Sequence, residues 1–546
     1  MKFRDQFPFF ANQTNLIYAD SAATSHKPFS VINAITQFLS VEYATVHRSG
    51  YDLATAATQK FEQARSRVAE LINCADKRSI VFTKGATEAL NLVASGVARC
   101  DWLIGSEILI CGSEHHANLL PWQRVAAQRD FNLRVMPMTN SGCLDVDAAL
   151  DMITERTAII AIAQVSNALG NLYPIAKFIQ KAKQNKALSI IDGTQAVPHI
   201  DVDIDKLGCD FYAFSGHKMF APTGTGVLYG RYSLLEKLPA YQLGGEMVKS
   251  TDYDSAVFQK PPVKFEAGTP NILGVIGLGE AANFVLSHKA WILRQEAHLA
   301  KLLYAALIAI DDIVLLGDFA HGQSQIPIAS FTLRNIHIND LAVLLDQHRI
   351  AIRHGQHCAM PLMQTLGIDG TLRISMAAYN TEDEVNQLVT VLKDCINHLK
   401  RLDHVIPANL VEPYQLDQPL PLAKKIIACH SWDTTLRQIM LAGKSLQQMA
   451  PENRLDRYYI GGCEADVWLF SEPLDGSKAM SFSAYSPSKI VRGLLAILLE
   501  RANSLPINDQ NSFDYQSYLA DIGLLRFLSD SRRSGITAVI EKINQG

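Results

Sequence analysis

Between about residues 79 and 230, short apolar runs alternate with amphipathic stretches, and this alternation constrains the fold more than any other feature of the sequence. Five of the apolar runs end in Gly or a polar residue: SIVFTKG (79–85), EILICG (107–112), TAIIAIAQ (157–164), LSIIDGTQ (188–195) and FYAFSGHK (211–218). Near-continuous apolar strands separated by helices are typical of a mostly parallel sheet in an α/β protein. Ligands bind at the carboxyl ends of the strands in such a sheet. The residues that end these runs are therefore the first candidates for a functional site.

A different pattern follows the predicted sheet. From about residue 270 to 400 the pattern is mixed, and it closes with a helix in which Thr381 and Glu384 form a capping box. Residues 401–421 then carry four prolines without regular periodicity, which is the composition of an extended linker. We predict a first domain over residues 1–400 and a linker over 401–421.

Residues 422–546 predict a second, smaller α+β domain. An amphipathic segment spans residues 431–445, two short strands flank Asp475-Gly476, and an apolar helix opens at Ser486-Pro487. Proline in the first helical turn after a serine cap is a favourable helix start.

The composition excludes several classes of protein. Hydrophobic residues make up 48% and charged residues 19% of the chain, which is typical of a soluble globular protein, and the net charge of −4 gives no attraction to nucleic acid or membranes. The nine cysteines are odd in number and scattered through a large chain, so no disulfide framework is predicted, and the absence of a CxxC pair argues against a zinc ribbon. We recognise no signal peptide and no run of about 18 apolar residues, and we expect a cytoplasmic protein with free thiols.

Two of the predicted strands end in ionisable side chains. Lys218 ends FYAFSGHK, with Ser215 and His217 alongside, and Asp192 ends LSIID. A carboxylate buried at a strand end needs a cationic partner. An amine for a Schiff base, an acid beside a pyridinium nitrogen and donors for a phosphate are the groups that pyridoxal 5′-phosphate (PLP) requires. Each residue alone has an ordinary explanation as a paired or surface charge, but their joint occurrence on one sheet favours PLP.

The segment TKGATEALN adds a candidate anion site. It places Gly85, Ala86 and Thr87 at a strand-to-helix turn, where free backbone N–H groups can bind a phosphate. Taken alone, such a turn is usually just a helix cap.

Over roughly residues 15 to 400 the sequence resembles the PLP-dependent cysteine desulfurases of the aminotransferase class V fold, and it is most similar to their Suf/CSD type. Nine motifs carry the resemblance: DSAAT (20–24), VHRS (46–49), EHHANLLPW (114–122), VSNALG (165–170), DGTQAV (192–197), FSGHK (214–218), FEAGTPN (265–271), RHGQHCAMPL (353–362) and GTLRIS (370–375). The resemblance implies PLP-dependent transferase fold type I. Its large part spans about 20–265, and its small α+β part combines the N-terminal segment with 266–400.

The resemblance also implies residue roles. Four residues surround the pyridine ring: Lys218 as the Schiff-base amine and proton shuttle, His115 stacked on the ring, Asp192 at the ring nitrogen and Gln195 at the ring hydroxyl. Five residues hold the phosphate: Ala86, Thr87, Ser215, His217 and, from the neighbouring subunit of a homodimer, Thr269. Two residues receive the substrate carboxylate, Asn167, which also contacts the cofactor, and Arg373. The family's usual Thr-Thr is Ala86-Thr87 here, so one side-chain donor is missing while the backbone donors are expected to remain.

Cys358 is the first of two candidate sulfur-carrying cysteines. It lies in RHGQHCAMP beside Arg353, His354 and His357. Cationic neighbours favour the thiolate, which is the nucleophile. The alternatives are a cysteine packed in the core or a metal ligand. The pattern HxxHC lacks a fourth ligand at a suitable spacing, so no metal site is predicted. The resemblance implies that this thiolate attacks the sulfur of the substrate and releases L-alanine.

Cys463 is the second candidate. It follows two glycines in YIGGCEADVWLF, where a tight loop can lift a thiol clear of the surface. From about residue 420 to 546 the chain resembles the SufE/CsdE sulfur acceptors through WDTTLRQIMLAGK, GGCEADVWL, KIVRGLLAILL and SRRSG. Cys463 matches the acceptor cysteine and Arg492 the helix arginine, while Asp466 departs from the basic or amide residue that is common there.

The sequence therefore predicts a cysteine desulfurase fused to a sulfur acceptor, with L-cysteine as substrate and a downstream sulfur-acceptor protein as partner. The final product, such as iron–sulfur clusters, stays open. Two alternatives also stay open. One is another PLP activity on the same fold, such as an aminotransferase or a selenocysteine lyase. The other is a C-terminal docking module in which Cys463 is inert and buried.

Overall fold

The computed structural model of the protein describes residues 2–322, 326–403, 419–429, 432–446, 449–461, 465–473, 480–525 and 530–545. The chain divides into two compact units: unit 1 is Met1–Thr332 with Arg349–Val389, and unit 2 is Leu333–His348 with Thr390–Gly546. Cys463 and residues 404–418 of the predicted linker lie outside the described residues, so the domain boundaries stay a prediction. Within the described ranges, no helix combines the length and the apolar character needed to cross a membrane.

The described residues before the predicted linker contain fifteen strands: β1 (Ile17–Tyr18), β2 (Ile80–Thr83), β3 (Glu107–Cys111), β4 (Asn132–Met136), β5 (Thr157–Ala163), β6 (Leu188–Asp192), β7 (Phe211–Ser215), β8 (Gly226–Gly230), β9 (Val248–Thr251), β10 (Ala256–Phe258), β11 (Ile313–Leu315), β12 (Ile328–Leu333), β13 (Ile350–Ala351), β14 (Arg353–Gly355) and β15 (Thr371–Ser375). The α-helices of the same part are α1 (Pro8–Asn12), α2 (Phe29–Gln37), α3 (Asp52–Leu71), α4 (Ala86–Ala98), α5 (Leu120–Arg129), α6 (Val146–Asp151), α7 (Ile175–Gln184), α8 (Ile204–Leu207), α9 (Tyr232–Lys237), α10 (Ile272–Ile308), α11 (Ile338–Gln347), α12 (Met360–Leu366) and α13 (Glu382–Asp403).

Seven strands of unit 1 form one sheet in the order β2-β8-β7-β6-β5-β3-β4. Every neighbouring pair is parallel except the two pairs made by β8. The central strands β5 and β6 are buried along their whole length, because both of their faces carry apolar residues and are covered by helices. The prediction of a mostly parallel α/β sheet is confirmed.

The sequence analysis did not identify β4 and β8. Strand β4 lies at the edge of the sheet, and its exposed and half-buried residues give no continuous apolar run. Strand β8 is buried but begins and ends with glycine. A Cβ added at Gly226 would lie 2.3 Å from the Cα of Gly85, so β8 needs glycine there to approach the turn that precedes α4.

In a smaller sheet, in the order β11-β12-β15-β14, strand β15 pairs antiparallel with β12 and β14, which places Arg353 opposite Arg373. Strand β1 pairs in parallel with β13 and so joins the N-terminal segment to this part of the chain. The capping box predicted for α13 is confirmed, since the Thr381 N–H donates to Glu384 Oε2 at 3.0 Å and the Glu384 N–H to Thr381 Oγ1 at 3.2 Å.

After the predicted linker, the elements are α14 (Pro421–Ile427), α15 (Trp432–Ala442), β16 (Tyr459–Ile460), β17 (Val467–Pro473), β18 (Met480–Tyr485), α16 (Lys489–Ser504), α17 (Ile507–Gln510), α18 (Tyr515–Asp521) and α19 (Asp530–Asn544). The three strands form an antiparallel sheet in the order β16-β17-β18, which confirms an α+β fold. The predicted start of the apolar helix at Ser486-Pro487 is wrong by two residues. Ser488 is the cap, because its hydroxyl accepts the Val491 N–H.

Candidate active site

A cavity of about 210 Å³ lies at the carboxyl ends of β5, β6 and β7 in unit 1. Eleven of the thirteen predicted site residues line it: Ala86, Thr87, His115, Asn167, Asp192, Gln195, Ser215, His217, Lys218, Cys358 and Arg373. The other two are Thr269, which lines a separate cavity, and Cys463, which lies outside the described residues. Strands that were separate in sequence thus bring their polar ends to one place.

Lys218 and Asp192 place opposite charges at adjoining strand ends. Lys218 follows β7 in a single turn, and Asp192 is the last residue of β6, where its Oδ1 accepts the Thr194 N–H at 2.9 Å. Burial lowers the pKa of Lys218 to about 8, with Arg373 lowering it further and Asp192 opposing the shift. An amine with this pKa can lose and regain a proton near neutral pH.

His115 enters the cavity as a neutral ring. The Ala117 N–H donates to its Nδ1 at 3.0 Å, so the proton of the neutral imidazole is on Nε2. Burial lowers the pKa of His115 to about 4, against the opposing effect of Asp192. The ring is therefore uncharged at neutral pH, which is compatible with stacking on an aromatic cofactor.

Glu114, which the sequence analysis did not identify, fixes the loop that carries His115. Its Oε1 accepts the Ala163 N–H at 2.8 Å and its Oε2 accepts the Asn118 side-chain N–H at 2.7 Å. Asn118 in turn accepts the Trp122 indole N–H at 2.8 Å. Burial raises the pKa of Glu114 to about 8, and Asp192 adds to the shift. Glu114 opens the motif EHHANLLPW, but the sequence does not reveal that its carboxyl group is buried and bonded to Ala163 and Asn118.

The turn between β2 and α4 differs from its prediction in one respect. The Ala86 N–H donates to the Ser215 hydroxyl at 2.9 Å, so this backbone donor is not free for an anion. Since that hydroxyl oxygen accepts, its own hydrogen remains available as a donor. Burial and the charge of Lys218 lower the pKa of His217 to about 4, which leaves its ring neutral. Thr87 is exposed in the first turn of α4.

Arg373 on β15 is the buried cation of the cavity, with its side chain 2% exposed. It donates to the Asn167 carbonyl at 2.7 Å and to Asp20 Oδ1 at 3.1 Å. Its Nε is buried and has no hydrogen-bond partner among the described residues. Asp20 lies in the motif DSAAT, but its role in orienting Arg373 depends on the tertiary structure and was missed. These bonds use two of the five guanidinium N–H groups, so donors remain for a small carboxylate.

Cys358 lies in an exposed loop held in an unusual conformation. His357 and Cys358 have φ angles of 52° and 56°, in the left-handed region that few non-glycine residues adopt. The Cys358 carbonyl accepts the His116 N–H at 2.8 Å, and the His357 carbonyl accepts the Asn167 side-chain N–H at 2.7 Å. The expectation that His357 is a cationic neighbour is wrong, because burial holds the pKa of His357 well below its usual value. Arg353, an exposed cation, lines the same cavity.

The comparison with protein families agrees with this geometry. Residues 17–388 match the family described as aminotransferase class-V. The chain belongs to the aminotransferase class-V family. Residues 421–546 of this class-V protein match a second family, described as an Fe-S metabolism associated domain and named SufE.

Relatives of the class-V segment carry consistent names. A Vibrio cholerae protein named probable cysteine desulfurase is 43% identical over 403 residues, which cover 72% of this chain and 98% of that protein. The crystal structure of the cysteine desulfurase CsdA (S-sulfonic acid) from Escherichia coli is similar at 39% identity and a TM-score of 0.67, covering 73% of this chain and 98% of that one. The apo structure of a cysteine desulfurase from Thermococcus onnurineus is similar at 35% identity and a TM-score of 0.68, covering 72% and 97%.

PLP is the cofactor of this class-V protein, and the buried polar atoms of the cavity fit it. Gln195 Oε1 and Thr194 Oγ1 are buried without a hydrogen-bond partner in the described part of the chain. Burying a polar atom without a hydrogen-bond partner is costly, so these two atoms fit a site that binds a polar ligand. Asp192, two residues before Thr194, offers the acid that a pyridinium nitrogen requires.

Proposed function

We propose that the protein is a cysteine desulfurase that converts L-cysteine to L-alanine, takes the sulfur onto Cys358 as a persulfide and relays it to Cys463. The observation that carries this proposal is an exposed thiol, Cys358, that lines the same cavity as Lys218 and Arg373. Transamination needs no thiol beside the cofactor, whereas removal of sulfur needs a nucleophile that accepts it.

The chain's own residues divide the work of binding and proton transfer. When bound, PLP supplies an electron sink for the substrate carbon. We assign Lys218 to holding the cofactor and to moving protons, for which a pKa of about 8 is suitable. Arg373 and Asn167 would receive the substrate carboxylate, His115 would pack on the cofactor ring, and Asp192 would pair with the ring nitrogen. The remaining cofactor ligands would be Gln195 at the ring hydroxyl and, at the phosphate, Thr87, Ser215, His217 and Thr269, while Ala86 would act through the Ser215 hydroxyl, to which its N–H donates.

Sulfur transfer follows from the position of Cys358. Its thiolate attacks the sulfur of the bound substrate, a sulfur–sulfur bond forms, and the carbon–sulfur bond breaks with its electron pair left on the carbon skeleton. Protonation of that skeleton gives L-alanine. The sum is L-cysteine and a Cys358 thiol converted to L-alanine and a Cys358 persulfide, which balances without an added oxidant or reductant.

The second half of the proposal concerns Cys463. The SufE match of residues 421–546 supports an acceptor role for this thiol. Asp466, three residues after Cys463 in the sequence, accepts a hydrogen bond from the Tyr459 hydroxyl at 2.9 Å. The acidic residue that departs from the family pattern therefore has a hydrogen-bond partner within the domain. We expect a further sulfur-acceptor protein downstream, and a cytoplasmic setting, where thiols stay reduced.

A homodimer is part of the proposal. Thr269 lines a separate cavity of about 140 Å³, away from Thr87 and Ser215 in its own chain. An exposed apolar surface lies between residues 39 and 53, where the side chains of Leu39, Val41, Tyr43, Tyr51 and Leu53 are each more than 40% exposed. Surfaces of this kind commonly mark protein interfaces, and a second copy can bring its Thr269 to the phosphate.

Mass spectrometry tests the proposed reaction. The holoenzyme is incubated with L-cysteine without reductant, digested, and searched for peptides heavier by one sulfur atom. Persulfide is expected on the peptides of Cys358 and Cys463, together with stoichiometric L-alanine. Lys218→Ala should give neither product, and Cys429, a half-buried control thiol, should stay unmodified. A keto acid in place of alanine would instead support an aminotransferase.

A further inference from the structure

A buried carboxylate connects the class-V segment with the SufE segment inside unit 2. Asp340 lies on α11, within the residues matched by the class-V family, and is completely buried. Its Oδ1 accepts the Ser488 hydroxyl at 2.7 Å and the Ile490 N–H at 3.2 Å, while its Oδ2 accepts the Lys489 N–H at 2.9 Å. All three donors belong to the first turn of α16 or its cap, within the residues matched by SufE.

This arrangement is a helix cap supplied from a distant part of the chain. The first N–H groups of a helix have no partner within it, and a negative charge is favourable beside them. Ser488 caps α16 locally by accepting the Val491 N–H. Asp340 adds a charge and satisfies two more backbone donors. Because these atoms are buried, a substitution that removes one partner leaves the other without a hydrogen bond, which is costly.

A second contact reinforces the first from the neighbouring helix. The Lys489 side chain is 8% exposed, and its Nζ donates to the Leu399 carbonyl on α13 at 3.0 Å. The first residue of α16 is thus bonded to α11 through its backbone and to α13 through its side chain. An ammonium group is rarely buried without such partners.

We propose that α11 and residues 390–403 of α13 form a docking surface for residues 421–545, with Asp340 as its central polar contact. The SufE segment is then held to the class-V segment by non-covalent contacts and not only by the connecting chain. This inference rests on the contacts of unit 2 and is independent of the sulfur relay.

Cutting the connection in the folded protein tests the docking surface. A specific protease site is placed within residues 404–418 of the full-length holoenzyme, which is cleaved after folding and applied to a sizing column at micromolar concentration. The two pieces are expected to elute together in equal amounts. Separate elution of the pieces of the parent protein would overturn the proposal. The readout involves no sulfur transfer, so its failure would leave the desulfurase proposal intact, and failure of the relay would leave the docking surface intact.

Matched variants assign the contact to Asp340. In cleaved Asp340→Ala the pieces should dissociate at least about tenfold more readily, the loss expected for one hydrogen bond to a charged group. Ser488→Ala removes one donor and should weaken the complex less. Asp346 lies exposed on the same helix, and Asp346→Ala should behave as the parent does. An unchanged cofactor absorbance in Asp340→Ala shows that the class-V segment is folded. Equal dissociation of the Asp340 and Asp346 variants would contradict the assignment.

Discussion

Replacement of Arg373 by Lys tests the carboxylate site quantitatively. Two of the guanidinium's donor nitrogens are engaged, one with the Asn167 carbonyl and one with Asp20, and Nε is buried without a partner in the described structure. Lysine keeps the charge, but its three N–H donors all lie on one nitrogen, so it cannot reproduce the planar fork that contacts both partners and a substrate carboxylate. The loss should equal about one hydrogen bond to a charged group, roughly 1.5–3 kcal/mol.

This free energy converts to a fall in kcat/KM of about ten- to 150-fold, since each 1.36 kcal/mol is a factor of ten. The carboxylate is present in substrate and transition state alike, so most of the change should appear in KM and little in kcat. The assay is L-alanine formation against L-cysteine concentration, with a reductant that clears the persulfide. Arg349→Lys is the control, because Arg349 is exposed and contacts only the surface residue Gln13 through its side chain in the described structure. A KM within twofold of the parent would refute the assignment.

Three further predictions concern protonation and assembly. Because the pKa of Lys218 is about 8 in the folded protein, the free amine is the minor form at pH 7 and becomes the major form above pH 8. The rate at which apo-protein recovers cofactor absorbance on addition of PLP should rise with pH and level off above about pH 8; a rate that is flat between pH 6 and 9 would contradict this. For Glu114 the folded pKa is raised from 4.5 to about 8, so its favourable contribution is complete below about pH 4.5 and is lost as pH rises toward 8. The urea-unfolding free energy of the parent should therefore fall relative to Glu114→Gln between about pH 5 and 8, and a constant difference would show that Glu114 does not titrate in this range. Sedimentation at micromolar concentration should show a homodimer, and Thr269→Ala should weaken PLP retention; a monomer with full activity would exclude the shared site.

The sequence predicts the parts of the fold that depend on local pattern. Strands such as β5 are apolar on both faces, so composition alone identifies them, whereas the edge strand β4 has no such run. Lys218, the lysine that lines the cavity, is recognisable from its strand end and motif. The charge state of His357 cannot be recognised in this way. Its position beside Cys358 in the sequence suggests a cation, and only the tertiary structure reveals the burial that keeps the ring neutral.

Residues that act through others are the least predictable. Glu114 and Asp20 position His115 and Arg373 through hydrogen bonds across the fold, and neither residue type is distinctive at its place in the sequence. Asp340 is equally hard to predict, because its partners Ser488 and Lys489 lie almost 150 positions further along the chain. In the proposed homodimer, the role of Thr269 depends on a second chain, which the pattern of one sequence does not reveal.

Sustained turnover in the presence of a mild reductant tests the central claim, the relay from Cys358 to Cys463. The parent should form L-alanine at a steady rate. Cys463→Ser should form about one alanine per site and then slow until the reductant clears Cys358, while Cys358→Ser should leave both positions free of persulfide. Equal steady rates in the parent and Cys463→Ser would contradict the relay and would leave residues 421–546 as a docking module.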